Sequence, residues 1–258
     1  MIGGLKDPLG LVWDGGRLYV SSVGRVTVYS GFDGRHFADQ RTIIRGPVTG
    51  GENNGLVLLP DGRFVMGITA SCDHCLPRSR FSGSIVTFRR DGSDLKLYAA
   101  RIRAPVGLTL YPGTSKLFVT MDQRNDLGPA TPGDVLAVVA PGTDWRSPQC
   151  YEQGGAVCAG VPRPLAVLDK HAAVGPVVIV TGQLGRLTGT SALVSEWQSA
   201  KVERIALVKR GSGYAGVVST WLTGLHNPLA LTLGPQRSVL VGDWGTGTIY
   251  RISRPSAR

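Results

Sequence analysis

One phrase returns five times along the chain, and it constrains the fold more than any other feature. Each copy has a small or proline-flanked start, an apolar strand, a polar turn and a second apolar strand. It reads PLGLVWDGGRLYVSS from Pro8 to Ser22 and NNGLVLLPDGRFVMGI from Asn53 to Ile68. It returns as APVGLTLYPGTSKLFVTM from Ala104 to Met121 and as NPLALTLGPQRSVLVGDW from Asn227 to Trp244, with a degraded copy from Val174 to Trp197. Taking Gly10, Gly55, Gly107, Gly175 and Ala230 as equivalent gives steps of 45, 52, 68 and 55 residues. Periods in this range mark propeller blades or arrays, whose units bury their apolar faces against one another.

The turns DGGR, PDGR and PGTSK put glycine where a positive φ is needed, so each strand pair closes as a hairpin. A third strand follows in RVTVYS, SIVTFRR, DVLAVV, VERIALV and GTIYRI, and a fourth is expected in RTIIRG, LKLYAA and VVSTWLTG. The expectation is an all-β chain: one β-propeller domain over residues 1–258, built from four-stranded antiparallel blades. Their approximate bounds are 1–46, 47–100, 101–165, 166–222 and 223–254.

A hydrophobic content of 42% is ample for a packed core, and no segment approaches the roughly 18 apolar residues that cross a bilayer. The opening MIGGLKDPLG has neither a basic start nor an apolar stretch, so no signal peptide is expected in this sequence. The net charge of +10 raises the question of nucleic acid. Its carriers (Arg78, Arg80, Arg89, Arg90, Lys209, Arg210) are scattered, not grouped on one element, which argues against that partner. Affinity for anionic small molecules, or solubility alone, accounts for the charge.

Four cysteines fall in two close pairs. Cys150 and Cys158 bracket a short glycine-rich loop and read as a disulfide of an oxidising compartment. Cys72 and Cys75, in CDHC beside His74, read either as a disulfide or as half of a zinc site.

At this point the residues become familiar. The stretch GPVTGGENNGLVLLPDGRFVMGITASCDHC (46–75) resembles the soluble pyrroloquinoline-quinone-dependent glucose/sorbosone dehydrogenase family. So do APVGLTLYPGTSKLFVTMDQRNDLG, the DWRSPQCY loop and the closing VLVGDWGTGTIYRI, so that the similarity runs from Leu5 to Ile252. The resemblance implies a six-bladed, exported ancestor, and hence a sequence lacking its first blade and its leader. It also implies pyrroloquinoline quinone (PQQ) and Ca²⁺ as cofactors, a sugar or aldehyde substrate, an electron acceptor, a monomer and a periplasmic or secreted location. Such chemistry needs a base near the working pH and cations around the quinone.

The family's base histidine falls at Gly51, with Glu52 as the substitute if partial burial raises its pKa. Loss of that histidine implies impaired catalysis. By the same resemblance Arg103, Arg124, Asn125, Lys201 and His226 approach the cofactor, and Asp122 and Asp134 are the Ca²⁺ candidates. An asparagine usual after the arginine is Ala104 here. His171 lines the channel or bonds within a blade, and Glu196, Trp197 and Asp243 occupy the same polar rim or serve packing and turns. Two rival functions remain. One is a non-catalytic propeller that binds a carbohydrate or a protein. The other is a Ca²⁺-dependent lactonase-type hydrolase using Glu52, Asn54, Asn125 and Asp243.

Overall fold

The computed structural model describes residues 2–45, 52–76, 79–151, 154–211 and 213–254. Gly51 and Arg78 lie outside the described residues. Among them the repeat becomes five separate antiparallel sheets, each numbered outward from an inner strand. Blade 1 holds β1 (Gly10–Asp14), β2 (Arg17–Ser22), β3 (Arg25–Phe32) and β4 (Phe37–Arg45). Blade 2 holds β5 (Asn53–Leu58), β6 (Phe64–Ile68), β7 (Ser84–Phe88) and β8 (Lys96–Ala100).

Blade 3 holds β9 (Ala104–Leu110), β10 (Leu117–Asp122), β11 (Gly133–Val139) and β13 (Ala166–Lys170). Between its last two strands the chain leaves β12 (Thr143–Asp144), which pairs in parallel with β8 and covers the outer edge of blade 2. The outer strand of blade 3 therefore begins just past the expected boundary at residue 165. A long excursion separates it from β11, and the repeat signal alone does not reveal which sheet it rejoins. Blade 4 holds β14 (Val174–Thr181), β15 (Thr190–Glu196), β16 (Lys201–Arg210) and β17 (Gly213–Leu222). Blade 5 has three strands among the described residues: β18 (Pro228–Leu233), β19 (Val239–Asp243) and β20 (Thr248–Ile252).

The glycine that marks the repeat now has a steric reason. A Cβ on Gly10 would lie 2.7 Å from the backbone of Asn54 and Leu56, and one on Gly55 would lie 2.8 Å from the Val106 carbonyl. On Gly107 it would run into the Gly175 carbonyl of blade 4. Inner strands converge near the axis, and only a residue without a side chain lets one backbone approach the next. Buried hydroxyls and amides bind the same junctions. Ser21 Oγ donates to the Asn54 carbonyl at 2.5 Å, Asn54 Nδ2 to the Pro105 carbonyl at 3.0 Å, and Thr120 Oγ1 to the Gly175 carbonyl at 2.7 Å.

Between blades, apolar faces stack in four clusters. Tyr19, Phe64 and Phe88 fill the first junction, and Val65, Met121 and Trp145 the second. Phe118, Ile179 and Ile205 fill the third, and Val180, Leu193 and Val241 the fourth. Packing proceeds in order through β1, β5, β9, β14 and β18, with no comparable contact between β18 and β1. Alternation turns Val12 toward blade 2 and leaves Leu11 and Trp13 exposed on the other face of blade 1, as Leu233 and Ile249 are on blade 5.

Candidate functional site

Antiparallel pairing puts the start of each inner strand, the end of the second strand and the start of the third at one end of the blade. That geometry gathers the expected residues on a single face. Glu52 precedes β5, Arg103 precedes β9, His171 precedes β14 and His226 precedes β18. Asp122 ends β10, Arg124 and Asn125 follow it, Asp134 lies in the first turn of β11, and Lys201 opens β16.

Both cysteine pairs are disulfides, with Cα–Cα separations of 5.7 Å for Cys72–Cys75 and 5.2 Å for Cys150–Cys158. The zinc reading of CDHC is thereby corrected: its thiols are consumed in the cross-link. The small ring instead presents Asp73 and His74 to blade 3. Asp73 Oδ1 lies 2.8 Å from Arg103 Nη2, and its Oδ2 accepts the Asn125 backbone N–H at 2.9 Å. His74 Nδ1 lies 3.1 Å from Asp126 Oδ2, and Asp126 is also gripped by Arg124 through two 2.6 Å hydrogen bonds. The Arg124 guanidinium holds the Asp126 carboxyl down at about 2. Asn125 Oδ1 in turn meets His171 Nδ1 at 2.8 Å. Arg103, Arg124, Asn125 and His171 thus form one connected patch with Asp73, His74 and Asp126.

Asp122 sits next to this patch, 3.9 Å from Arg103 Nη1. Burial and the neighbouring Asp134 carboxylate push its pKa well above the usual range, and the opposing pull of Arg103 does not cancel them. Burial also raises Asp134, although its Oδ1 accepts the Gln123 N–H at 2.8 Å. Asp122 Oδ1 is buried with no hydrogen-bond partner among the described residues. Two adjoining carboxyls, one with an unfilled acceptor, suit a proton or a hard cation.

Beside Arg103 opens a cavity of about 640 Å³, floored by Ile102, Met121, Val135 and Trp145 and walled by the Cys150–Cys158 loop. Three arginines line it (Arg101, Arg103 and Arg163), and none of its described lining residues is acidic. Arg103 Nε and Trp145 Nε1 are buried donors without partners among the described residues. An apolar floor under unfilled donors and cationic walls fits a flat ligand bearing carboxylates or carbonyl oxygens.

The remaining expectations are not drawn into that patch. Glu52 is exposed, so the burial on which its basicity depends is missing. His226 and Asn227 donate backbone N–H groups to Asp243 at 2.9 and 2.8 Å, and the Asn227 amide reaches the Trp197 carbonyl. Asp243 is therefore a turn-forming carboxylate, held away from the ion that the lactonase reading requires. Asn54 ties two blades through its Nδ2, while its buried Oδ1 has no partner among the described residues.

Lys201 belongs to a second centre, in the junction of blades 3 and 4. Its Nζ lies 2.5 Å from Glu203 Oε1, 2.8 Å from Asp169 Oδ2 and 3.5 Å from Glu196 Oε2. Burial lifts Glu196 to about 7 against the pull of Lys201. Asp73, Asp169, Glu203, Trp145 and Arg163 escaped the sequence reading. For Glu203 a signal existed: it stands two residues after Lys201 on a strand, hence on the same face.

No family model matches the chain, and no curated protein matches it. Solved structures share its fold. A calcium structure of the Trichoderma reesei carbohydrate-active enzyme of family AA12 superposes with a TM-score of 0.71 at 14% identity, covering 95% of this chain and 80% of that one. The PQQ-bound aldose sugar dehydrogenase of Streptomyces coelicolor gives 0.66 at 18% identity, covering 92% and 88%. Virginiamycin B lyase from Staphylococcus aureus, with quinupristin, gives 0.54 at 15%, covering 100% and 73%. Propellers of this shape thus include dehydrogenases and a lyase, and the likeness carries the fold alone.

Proposed function

We propose that the protein is a quinoprotein-type sugar or aldehyde dehydrogenase-like oxidoreductase with weakened catalysis, exported to the periplasm or the medium and working as a monomer on a small-molecule substrate with an electron acceptor. The observation that carries this reading is the cavity beside Arg103, with three arginines, two unfilled buried donors and an apolar floor. These features suit a flat quinone carrying carboxylates, as PQQ does. Arg103 would hold such a group, backed by Asp73, and Arg101 and Arg163 would hold its outer acids. Asn125, joined to Arg103 through Asp73, and its neighbour Arg124 would shape the rim, while Lys201 and His226 stand apart from the cavity. Asp122 and Asp134 would take the accompanying Ca²⁺. When bound, the quinone would supply an acceptor for a hydride, which carries both electrons of the oxidation.

The chain's own residues contribute less to the chemistry than to binding. Glu52, at the rim, would take the substrate's hydroxyl proton. It is exposed to water and stands beside the position where the family's histidine is missing, and this supports impaired turnover. Two disulfides support a location outside the reducing cytoplasm.

The exposed Glu52 equally favours a second reading, a non-catalytic propeller that binds a carbohydrate or a protein at the same face. Melting the full chain with and without saturating PQQ and Ca²⁺ separates the two. A cofactor-dependent rise in Tm, with dye reduction on aldoses or sorbosone that Glu52→Gln abolishes, is the expected result. No rise at saturation would remove the dehydrogenase reading and leave the binding one.

A further inference from the structure

The centre around Lys201 is not explained by quinone binding. Asp169 on β13 of blade 3, Glu196 at the end of β15 and Glu203 on β16 converge so that one oxygen from each lies within 4.8 Å of the others. Glu196 and Glu203 are buried, and the Oε2 atoms of both have no hydrogen-bond partner among the described residues. Neighbouring donors are already engaged elsewhere in the group. The Thr220 hydroxyl donates to Glu203 Oε1 at 3.0 Å, the Ser199 hydroxyl to Asp169 Oδ2 at 3.3 Å and the Asp169 N–H to Glu196 Oε1 at 3.4 Å.

Charge does not balance here. Three carboxylates face one ammonium, and burial makes an uncompensated anion costly. Lys201 also fits the site poorly as its sole cation, since it approaches Glu196 only to 3.5 Å and leaves Glu203 Oε2 unfilled. Up to six carboxylate oxygens plus the Ser199 hydroxyl match the all-oxygen, irregular shell that a large hard cation accepts. Lysine has a long flexible stem with one edge in solvent, so its head can leave while the stem stays packed.

We propose that Asp169, Glu196 and Glu203 form a site for a hard divalent cation of calcium's class, which displaces the Lys201 ammonium and ties blade 3 to blade 4. The site is separate from Asp122 and Asp134, which belong to the central hairpin of blade 3 alone. It does not depend on the dehydrogenase reading.

Tb³⁺ serves as the probe, because Trp197, next to Glu196, can sensitise its emission. Purified full chain stripped with EDTA is titrated with Tb³⁺ while tryptophan is excited, and its Tm is followed separately with Ca²⁺. Sensitised emission that Ca²⁺ competes away, and a Ca²⁺-dependent rise in Tm, are expected. Glu203→Gln should weaken both by at least about tenfold, as loss of a ligand-shell group does. Lys201→Met should strengthen binding by removing the competitor, and that variant should depend on Ca²⁺ for its stability. Folding of each variant is checked by circular dichroism, and if Glu203→Gln fails to fold, the sign of the Lys201→Met effect decides. Unchanged binding in folded Glu203→Gln, or no cation response in Lys201→Met at millimolar Ca²⁺, overturns the proposal. So does a signal that vanishes in Asp134→Asn instead, since the ion would then lie in blade 3.

Discussion

Blades 3 and 4 fill the same place in opposite ways. At the top of each central hairpin the last residue of the second strand faces a residue at the start of the third. In blade 4 the pair is Glu196 and Lys201. In blade 3 Met121 faces Val135, so the next pair outward is Asp122 and Asp134, two carboxyls side by side. Opposite charges across a sheet stabilise it and like charges destabilise it. The fold thus offers a matched pair at one blade and keeps a mismatched pair at the next, beside Arg103 and its cavity. Unfavourable electrostatics retained in a polar mouth point to a binding role. The matched pair marks a structural centre in which the Lys201 ammonium stands among three carboxylates.

The largest effect should come from breaking the matched pair. Lys201→Met in EDTA removes the one ammonium that, among the described residues, faces buried Glu196 and Glu203. Loss of one partner from a buried ion pair costs about 3–5 kcal/mol. Urea unfolding of wild type and variant under identical chelation measures it. A loss below about 1 kcal/mol would mean that the two glutamates are protonated or hydrated, and that Lys201 is not what holds blade 4 together.

Breaking the mismatched pair should do the reverse. Asp122→Asn keeps the shape, removes the repulsion and offers an amide hydrogen to Asp134. Arg103 retains Asp73 at 2.8 Å. Stability should rise by about 1 kcal/mol, the usual size of such relief at a functional site, while any Ca²⁺ or quinone affinity falls. Thermal melting with and without the ligands tests both halves. A destabilised variant would show that Asp122 is a structural anchor, and the contrast between the blades would lose its meaning.

How much of this was legible in the sequence follows from where each partner sits along the chain. The glycines Gly10, Gly55 and Gly107 were readable because the first three blades repeat one steric demand, the close approach of the next inner strand, while Gly175 meets Ser195 of its own blade. Most third and fourth strands were equally plain. The candidate face was readable as a set of inner-strand starts and hairpin ends, so Arg103, Asp122, Asn125 and Asp134 fall together. What escaped depends on contacts between blades. Asp169 meets Lys201 only because β13 returns to blade 3 after an excursion of more than twenty residues. Asp73 meets Arg103 only because the Cys72–Cys75 ring turns it inward. No local pattern encodes either meeting.

Acid should narrow the gap between wild type and Asp122→Asn. Asp122 and Asp134 have folded pKa values above the ordinary 3.8, so between that value and their raised pKa values the folded state holds more protons than the unfolded. Stability from this pair is then gained as pH falls and lost as pH rises through the folded pKa. The variant, with one carboxyl, should show a shallower dependence. Melting both proteins in EDTA from neutral pH downward supplies the comparison, and parallel curves would rule out the shared titration.

Exposure should silence the smallest of these effects. Arg101 and Asp144 form a two-bonded ion pair at the mouth of the cavity, with Arg101 Nε 2.7 Å from Asp144 Oδ1, yet their side chains are 41% and 44% exposed. The Arg101 guanidinium lowers the Asp144 pKa, so this pair contributes stability above the unfolded value and loses it as pH falls, opposite in sign to the blade 3 pair. Water screens both charges, and removal of Arg101 should cost only about 0.5 kcal/mol or less, fading further in salt. Urea unfolding of Arg101→Ala at low and high ionic strength reads this directly. A cost approaching that of Lys201→Met would mean that ion-pair geometry, not burial, sets the strength of charge pairs in this propeller, and the different behaviour expected of blades 3 and 4 would need another cause.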